Sequence, residues 1–281
     1  MNPHLVQKLG FGLLALISLV VVIPILLVIG AILAQGAPAI SAEFLTAMPR
    51  DGMKAGGILP AIVGTLLLTA GTGLVAIPMG VGAAIYLSEY ARDTGLTRAV
   101  RLAIVNLASV PSVVYGLFGV GIFVLLLQFG TSILAGSLTL AIMTLPVIIS
   151  TSEEALRAVP MEFRTVSASL GGTPWQGIRR VVLPQALPGI ITGVILGLLR
   201  SAGETAPILF TVAAFYLPAL PQSVMDQTMA LPYHLYVIST QVPGMPLSIQ
   251  FGTALTLLIY VLSMNVIATL IRGYFRRRRE W

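Results

Sequence analysis

Arg200 and Glu204 stand four residues apart inside almost purely apolar sequence, which runs from Val181 to Arg200 and resumes from Thr205 to Met225. On one helix their spacing puts both side chains on the same face, about 6 Å apart along the axis. A charge at the centre of a bilayer costs about 2.5–3.5 kcal/mol even on insertion-based scales, so such a pair belongs in a bundle interior or a water-filled path. Guanidinium offers paired donors matched to an oxyanion, and a nearby carboxylate competes for them. The pair therefore reads as a waypoint for an anion, with Ser201 and Thr205 as neighbouring hydroxyls. Two plainer readings stay open: an internal salt bridge that locks two helices, and hydroxyls that only glue helices together.

The elements that must hold this pair are membrane helices. Of the 281 residues 57% are hydrophobic and only 9% charged, and the apolar runs are as long as a bilayer is thick. Charge-free stretches give six transmembrane helices, at about 9–35, 57–88, 102–129, 132–152, 184–212 and 246–271, in one domain spanning 1–281. The first run is too long for a signal-peptide core and is read as a retained helix. The long uncharged stretch from Leu102 to Ser152 is split at Gly130, Thr131 and Ser132. Pro24, Pro60, Pro78, Pro111, Pro146, Pro188 and Pro207 sit in or at the ends of these helices, where each frees a carbonyl and favours a kink.

Six crossings put both termini on one side. That side collects Lys8, Arg92, Arg98, Arg101, Arg157, Arg164, Arg179, Arg180, Arg272 and Arg276 to Arg279, against only Arg50 and Lys54 opposite. The positive-inside rule makes both termini cytoplasmic. The same arginines account for the net charge of +6, so nucleic-acid binding is not called for. The Arg276–Arg279 run suits membrane lipid of negative charge.

Several chemistries are excluded. There is no cysteine, and His4 and His234 are far apart in sequence, so no metal site is expected. The only lysines, Lys8 and Lys54, lie in no phosphate-binding glycine loop, so this chain is not an ATPase. No nucleophile stands paired with a base, and the chain is not expected to be an enzyme or to bind a cofactor.

The longest loop on the arginine-rich side, 153–180, is too patterned to be a linker. Leu156, Val159, Phe163, Val166 and Leu170 form the stripe of a short amphipathic helix, stopped by Gly171, Gly172, Thr173 and Pro174. Gly171, followed after nine residues by Val181, Val182, Leu183 and Pro184, resembles the loop of bacterial ABC importer permeases in which a coupling helix docks into the ATPase. That family usually carries Glu-Ala-Ala before the glycine, where this chain has Thr165, Val166 and Ser167. The segments from Gly57 to Thr65, Tyr86 to Tyr90, Val110 to Gly119, Glu153 to Pro160 and Arg200 to Pro207 are similar to the permeases of phosphate importers.

The resemblance implies a type I ABC importer permease fold, all-α and integral to the bacterial inner membrane. It implies half a translocation pore, completed by a second homologous permease, driven by a cytoplasmic ATPase dimer that binds ATP, and supplied by a periplasmic phosphate-binding protein. ATPase coupling would then fall to Glu162, Thr165, Val166, Ser167, Leu170, Gly171, Gly172, Leu183 and Pro184. Sulfate or molybdate would use the same physics. An ion-coupled secondary transporter with Glu204 as proton carrier would need paired broken repeats, and no second copy of the Arg200–Glu204 pattern is present.

Overall fold

The computed structural model describes residues 3–169 and 171–277. Helix α1 (Pro3–Gly36) leads through a short turn to α2 (Ala42–Thr46) and a two-residue hairpin, Pro49–Arg50 against Ala55–Gly56. Then come α3 (Leu59–Ile85) with a π-helical turn at Tyr86–Tyr90, α4 (Gly95–Ala108), α5 (Ser112–Gly119) continued by a π turn to Leu126, and α6 (Ile133–Arg157). Beyond them lie α7 (Met161–Ser169), α8 (Pro174–Gly177), a π turn at Ile178–Val182, α9 (Leu183–Ala202), α10 (Ala206–Thr211), α11 (Leu231–Thr240) and α12 (Leu247–Arg277). Among the described residues five helical stretches are long and apolar enough to cross a membrane, and the bent α4–α5 pair makes a sixth if counted as one span.

Three expectations change. The third helix, expected over 102–129, is two helices meeting at 102°. Pro111 has no N–H to give and biases Val110 away from helical geometry, so α4 stops at Ala108 and α5 starts afresh. The fifth helix, expected over 184–212, ends at Ala202 and resumes as α10. Gly203 closes the first piece, and the ring of Pro207 would collide with its carbonyl in a continuous helix. The amphipathic stripe of 153–180 is divided between two helices, because α6 runs on to Arg157 before Pro160 breaks the chain.

Helix α6 is the axle of the bundle, packed along α3 on one flank and α9 on the other. Towards α9 its partners are glycines. A Cβ at Gly189 would stand 2.5 Å from that of Ala155, one at Gly193 2.7 Å from that of Thr151, and one at Gly197 2.9 Å from Cγ1 of Ile148. This four-residue repeat lets the backbones close in, the main source of helix attraction where lipid and side chains are equally apolar. One buried cluster joins Ile58, Leu68, Leu140, Ile208, Leu231 and Val237. A second, at the end of the bundle near the chain termini, joins Ala84, Leu156, Val159, Val182, Ala186 and Ile190. Helix α1 lies outside both, its apolar side chains exposed as lipid-facing residues are.

Candidate functional site

The glycine register fixes the depth of the charged pair. Since Gly189, Gly193 and Gly197 face Ala155, Thr151 and Ile148, Arg200 lies level with Thr144, near the middle of α6. At 1.5 Å per residue that is about 16 Å from Ile133 and about 20 Å from Arg157. The chain then completes the crossing through α10. A Cβ on Gly116 of α5 would stand 3.0 Å from Pro207 Cα, and the Ser132 N–H at the head of α6 donates to the Thr211 carbonyl at 2.9 Å. Arg200 and Glu204 thus flank a mid-membrane interruption, the kind of irregular backbone that spanning proteins keep where it is buried in protein or lines a cavity.

Arg200 occupies the last turn of α9, where its charge favours the unpaired carbonyls of the helix end. Its Nε is 3.7 Å from Glu204 Oε1, an ion pair too long for a hydrogen bond. Its side chain is 37% exposed and that of Glu204 18%. Tyr115 on α5 is close enough to feel the arginine's charge, but its hydroxyl is committed to the Leu107 carbonyl at 2.7 Å. Among the described residues the guanidinium donates no hydrogen bond, so its fork is open to a ligand.

The two hydroxyl candidates part company. Ser201 is buried and donates to the Leu198 carbonyl at 2.9 Å, which turns it into its own helix. Thr205 is half-buried within the interruption, and its side chain caps nothing.

The coupling candidates lie at the other end of α9, Leu183 and Pro184 in its first turn and the other described ones beyond the spans. Glu162 and Thr165 are exposed on α7, with Thr165 donating to the Glu162 carbonyl at 2.8 Å. Gly171 holds φ +75°, a left-handed conformation that L side chains rarely adopt, and Gly172 N–H donates to the Ser167 carbonyl at 3.1 Å. Thr173 and Gln176 then cap α8 reciprocally, and Pro174 starts it. Glu162, Ser167, Gly171, Gly172, Gln176 and Arg180 border a cleft of about 500 Å³. Leu183 and Pro184 belong to the first turn of α9, and Leu183 packs against the buried cluster of Val182 and Ala186. Leu170 and the side chain of Val166 lie outside the described residues.

Sequence reasoning missed the charges that tie this turn to the bundle. Arg164 on α7 donates to both carboxylate oxygens of Glu89, at 3.0 and 2.9 Å, and to the carbonyls of Val159 and Leu156 at 2.6 and 2.9 Å. Arg101 on α4 donates to Glu153 of α6 and to the Leu87 carbonyl, both at 2.8 Å. The available signal was Glu89 within the Tyr86–Tyr90 string, though nothing in the sequence joins it to a residue 75 positions away. His234, on α11, is buried with both ring nitrogens unpartnered, and burial pushes its pKa down to about 4. Among the described residues no three His, Cys, Asp or Glu side chains converge as metal ligands.

A helical bundle with an interrupted, charged span at mid-depth and a patterned turn beyond the spans fits a transport subunit. Residues 76–281 match the family of binding-protein-dependent transport system inner membrane components, and the chain belongs to it. It is 32% identical to the probable ABC transporter permease protein YqgI of Bacillus subtilis, across 95% of each chain. It is 38% identical to the phosphate transport system permease protein PstA 1 of Mycobacterium tuberculosis, covering 80% of this chain and 73% of that one. The fold agrees with a bacterial ABC transporter that imports the polysaccharide alginate (TM-score 0.68, 16% identity, 96% and 99% of the two chains). It also agrees with the inward-facing MetNI methionine ABC transporter (TM-score 0.63, 18% identity, 78% and 95%). The chain is a multi-pass permease subunit of an ABC importer with the type I permease fold; it is not itself an enzyme, and ATP hydrolysis falls to a separate subunit.

Proposed function

We propose that the importer carries phosphate and that this chain forms half of its pore. The observation that supports this is Arg200: a half-exposed guanidinium at mid-membrane, held by no hydrogen bond among the described residues and 3.7 Å from a carboxylate. Phosphate at neutral pH carries one to two negative charges on oxygens that match the guanidinium fork. An arginine alone in low dielectric would hold such an anion too tightly, and Glu204 competes for the same donors and loosens it. Conduction needs binding strong enough to admit the ion and weak enough to release it. Phosphate rather than another oxyanion is supported by the M. tuberculosis relative named above.

In this reading both termini face the cytoplasm, as the arginine distribution requires in a bacterial inner membrane. A second, homologous permease completes the pore, and a periplasmic phosphate-binding protein delivers the anion. An ATPase dimer docks at the Glu162–Gln176 turn, and its closure on ATP rocks the pore between inward- and outward-facing states. The test is uptake of labelled phosphate by proteoliposomes holding the assembled importer and ATP. Uptake that excess unlabelled phosphate abolishes and that sulfate and molybdate leave intact supports the reading. Competition by sulfate or molybdate at equal strength overturns the substrate, and uptake driven by an ion gradient without ATP overturns the mechanism.

A further inference from the structure

The cross-tie at Arg164 bears directly on how a push on α7 reaches the pore. We propose that the Arg164–Glu89 pair is the joint through which movement of the coupling turn is passed to α3 and α6; the inference rests on the reading of that turn as the ATPase dock.

The geometry has three parts. Arg164 is the only charged side chain inside α7 besides Glu162, which is exposed. Its guanidinium takes Glu89 in a fork, Nε to one oxygen and Nη2 to the other, and the glutamate side chain is only 7% exposed. Its remaining bonds go to the Leu156 and Val159 carbonyls, at and just past the end of α6, the first of which it shares with the Val159 N–H. One side chain thus holds three elements: α7, the π turn that finishes α3, and the end of α6.

What lies beyond the joint makes it consequential. Helix α6 is packed along α3 and along α9, which carries Arg200 at its far end, and the α6–α9 seam is closed by glycines. Such close-packed helices move as bodies and do not absorb a push by bending side chains. Displacing α7 therefore drags the ends of α3 and α6 together, and α9 follows α6. A second tie, Arg101 to Glu153 and the Leu87 carbonyl, keeps the same two ends registered with α4. A lysine in place of Arg164 keeps the charge, but its single ammonium cannot span a carboxylate fork and two carbonyls at once.

Because the chain has no native cysteine, the joint is open to replacement by a chemical tie. The double variant Arg164→Cys with Glu89→Cys is assembled into the importer in proteoliposomes, and phosphate uptake is measured per ATP hydrolysed, before and after treatment with a flexible bis-thiol cross-linker. The expected result is normal recovery of the ATPase with the complex, a severalfold fall in phosphate moved per ATP, and recovery of that ratio on cross-linking. A merely local structural role would not respond to the cross-linker. An unchanged ratio in the untreated variant overturns the proposal, as does a loss that cross-linking leaves in place. If the double variant does not assemble, Arg164→Lys takes its place: a severalfold lower ratio supports the joint, and the native ratio overturns it. The unsubstituted importer in the same assay separates this outcome from failure of the phosphate reading, because then it too would move none.

Discussion

The α6–α9 seam makes a quantitative prediction through Gly193. An alanine there would bring its Cβ to 2.7 Å from Thr151 Cβ and 3.1 Å from Cγ2. Carbon atoms rest about 3.5–4.0 Å apart, so the two helices must separate by about 1 Å at this level. Thr151 cannot swing aside, because the atom struck is its Cβ, fixed to the backbone. Such overpacking costs about 1–3 kcal/mol, and the better helix propensity of alanine returns up to about 1 kcal/mol. Gly82 on α3 supplies the control, since a Cβ there meets nothing within 4 Å and alanine brings only the propensity gain. Gly193→Ala should therefore be less stable than Gly82→Ala by about 1–3 kcal/mol. Thermal unfolding of the detergent-purified importer, followed by helical circular dichroism or tryptophan emission, measures the gap. Adding Thr151→Gly removes the struck atom, and the double-mutant cycle should show a favourable coupling of about 1–3 kcal/mol. Equal melting of the two alanine variants, or strict additivity of Gly193→Ala with Thr151→Gly, would refute the glycine register and with it the depth assigned to Arg200.

Gly171 sits at φ +75° with open space where a Cβ would go, so its requirement is conformational and not steric. Gly171→Val should insert normally and weaken ATPase attachment or stimulation, while Gly171→Asn, which tolerates that conformation, should stay near normal; full attachment and transport by Gly171→Val would count against the turn. His234 has a folded-state pKa of about 4 against an ordinary 6.5, so its contribution to stability is complete above about pH 6.5 and drains away as pH falls through 4. The amount is about 3 kcal/mol, and His234→Met should flatten the pH dependence of melting between those limits; an unchanged slope would show that the histidine is not the group responsible. For topology, a cysteine at exposed Arg50 should react with an impermeant thiol reagent from the periplasmic side and one at exposed Gln176 should not. The reverse pattern would invert the whole assignment.

Much of this fold was legible because a bilayer leaves the backbone few options. Uncharged runs of span length have to become helices, and the far end of α1, the end of α6 and the start of α12 fall within a few residues of the charges or prolines beside them. What stayed hidden is the consequence of two prolines. Pro111 and Pro207 were recognised as sites of kinking, yet whether a proline bends a span or divides it depends on the neighbouring helices that satisfy the freed groups. The short piece beyond Pro207 is likewise held from outside, its last carbonyl, Thr211, accepting from Ser132 N–H, far away in sequence. Helix α11 was missed because it is short and sits outside the spans, against Thr65, whose hydroxyl accepts from Leu231 N–H. The charged pair was visible from spacing alone, while its place at an interruption was not. The Arg164–Glu89 tie could not be read at all, since a pairing across the fold leaves no local trace.

The central claim is that Arg200 meets the anion, as opposed to merely balancing Glu204. Either role predicts harm from Arg200→Gln, because the carboxylate is left mostly buried without its counter-charge, at a cost of several kcal/mol. The double change Arg200→Gln with Glu204→Gln removes that penalty and isolates the question. Labelled phosphate uptake by the importer carrying both changes, measured beside recovery of the assembled complex, is the deciding experiment. The account predicts normal assembly with uptake lost, whereas near-native uptake by the double variant would reduce the pair to a structural salt bridge.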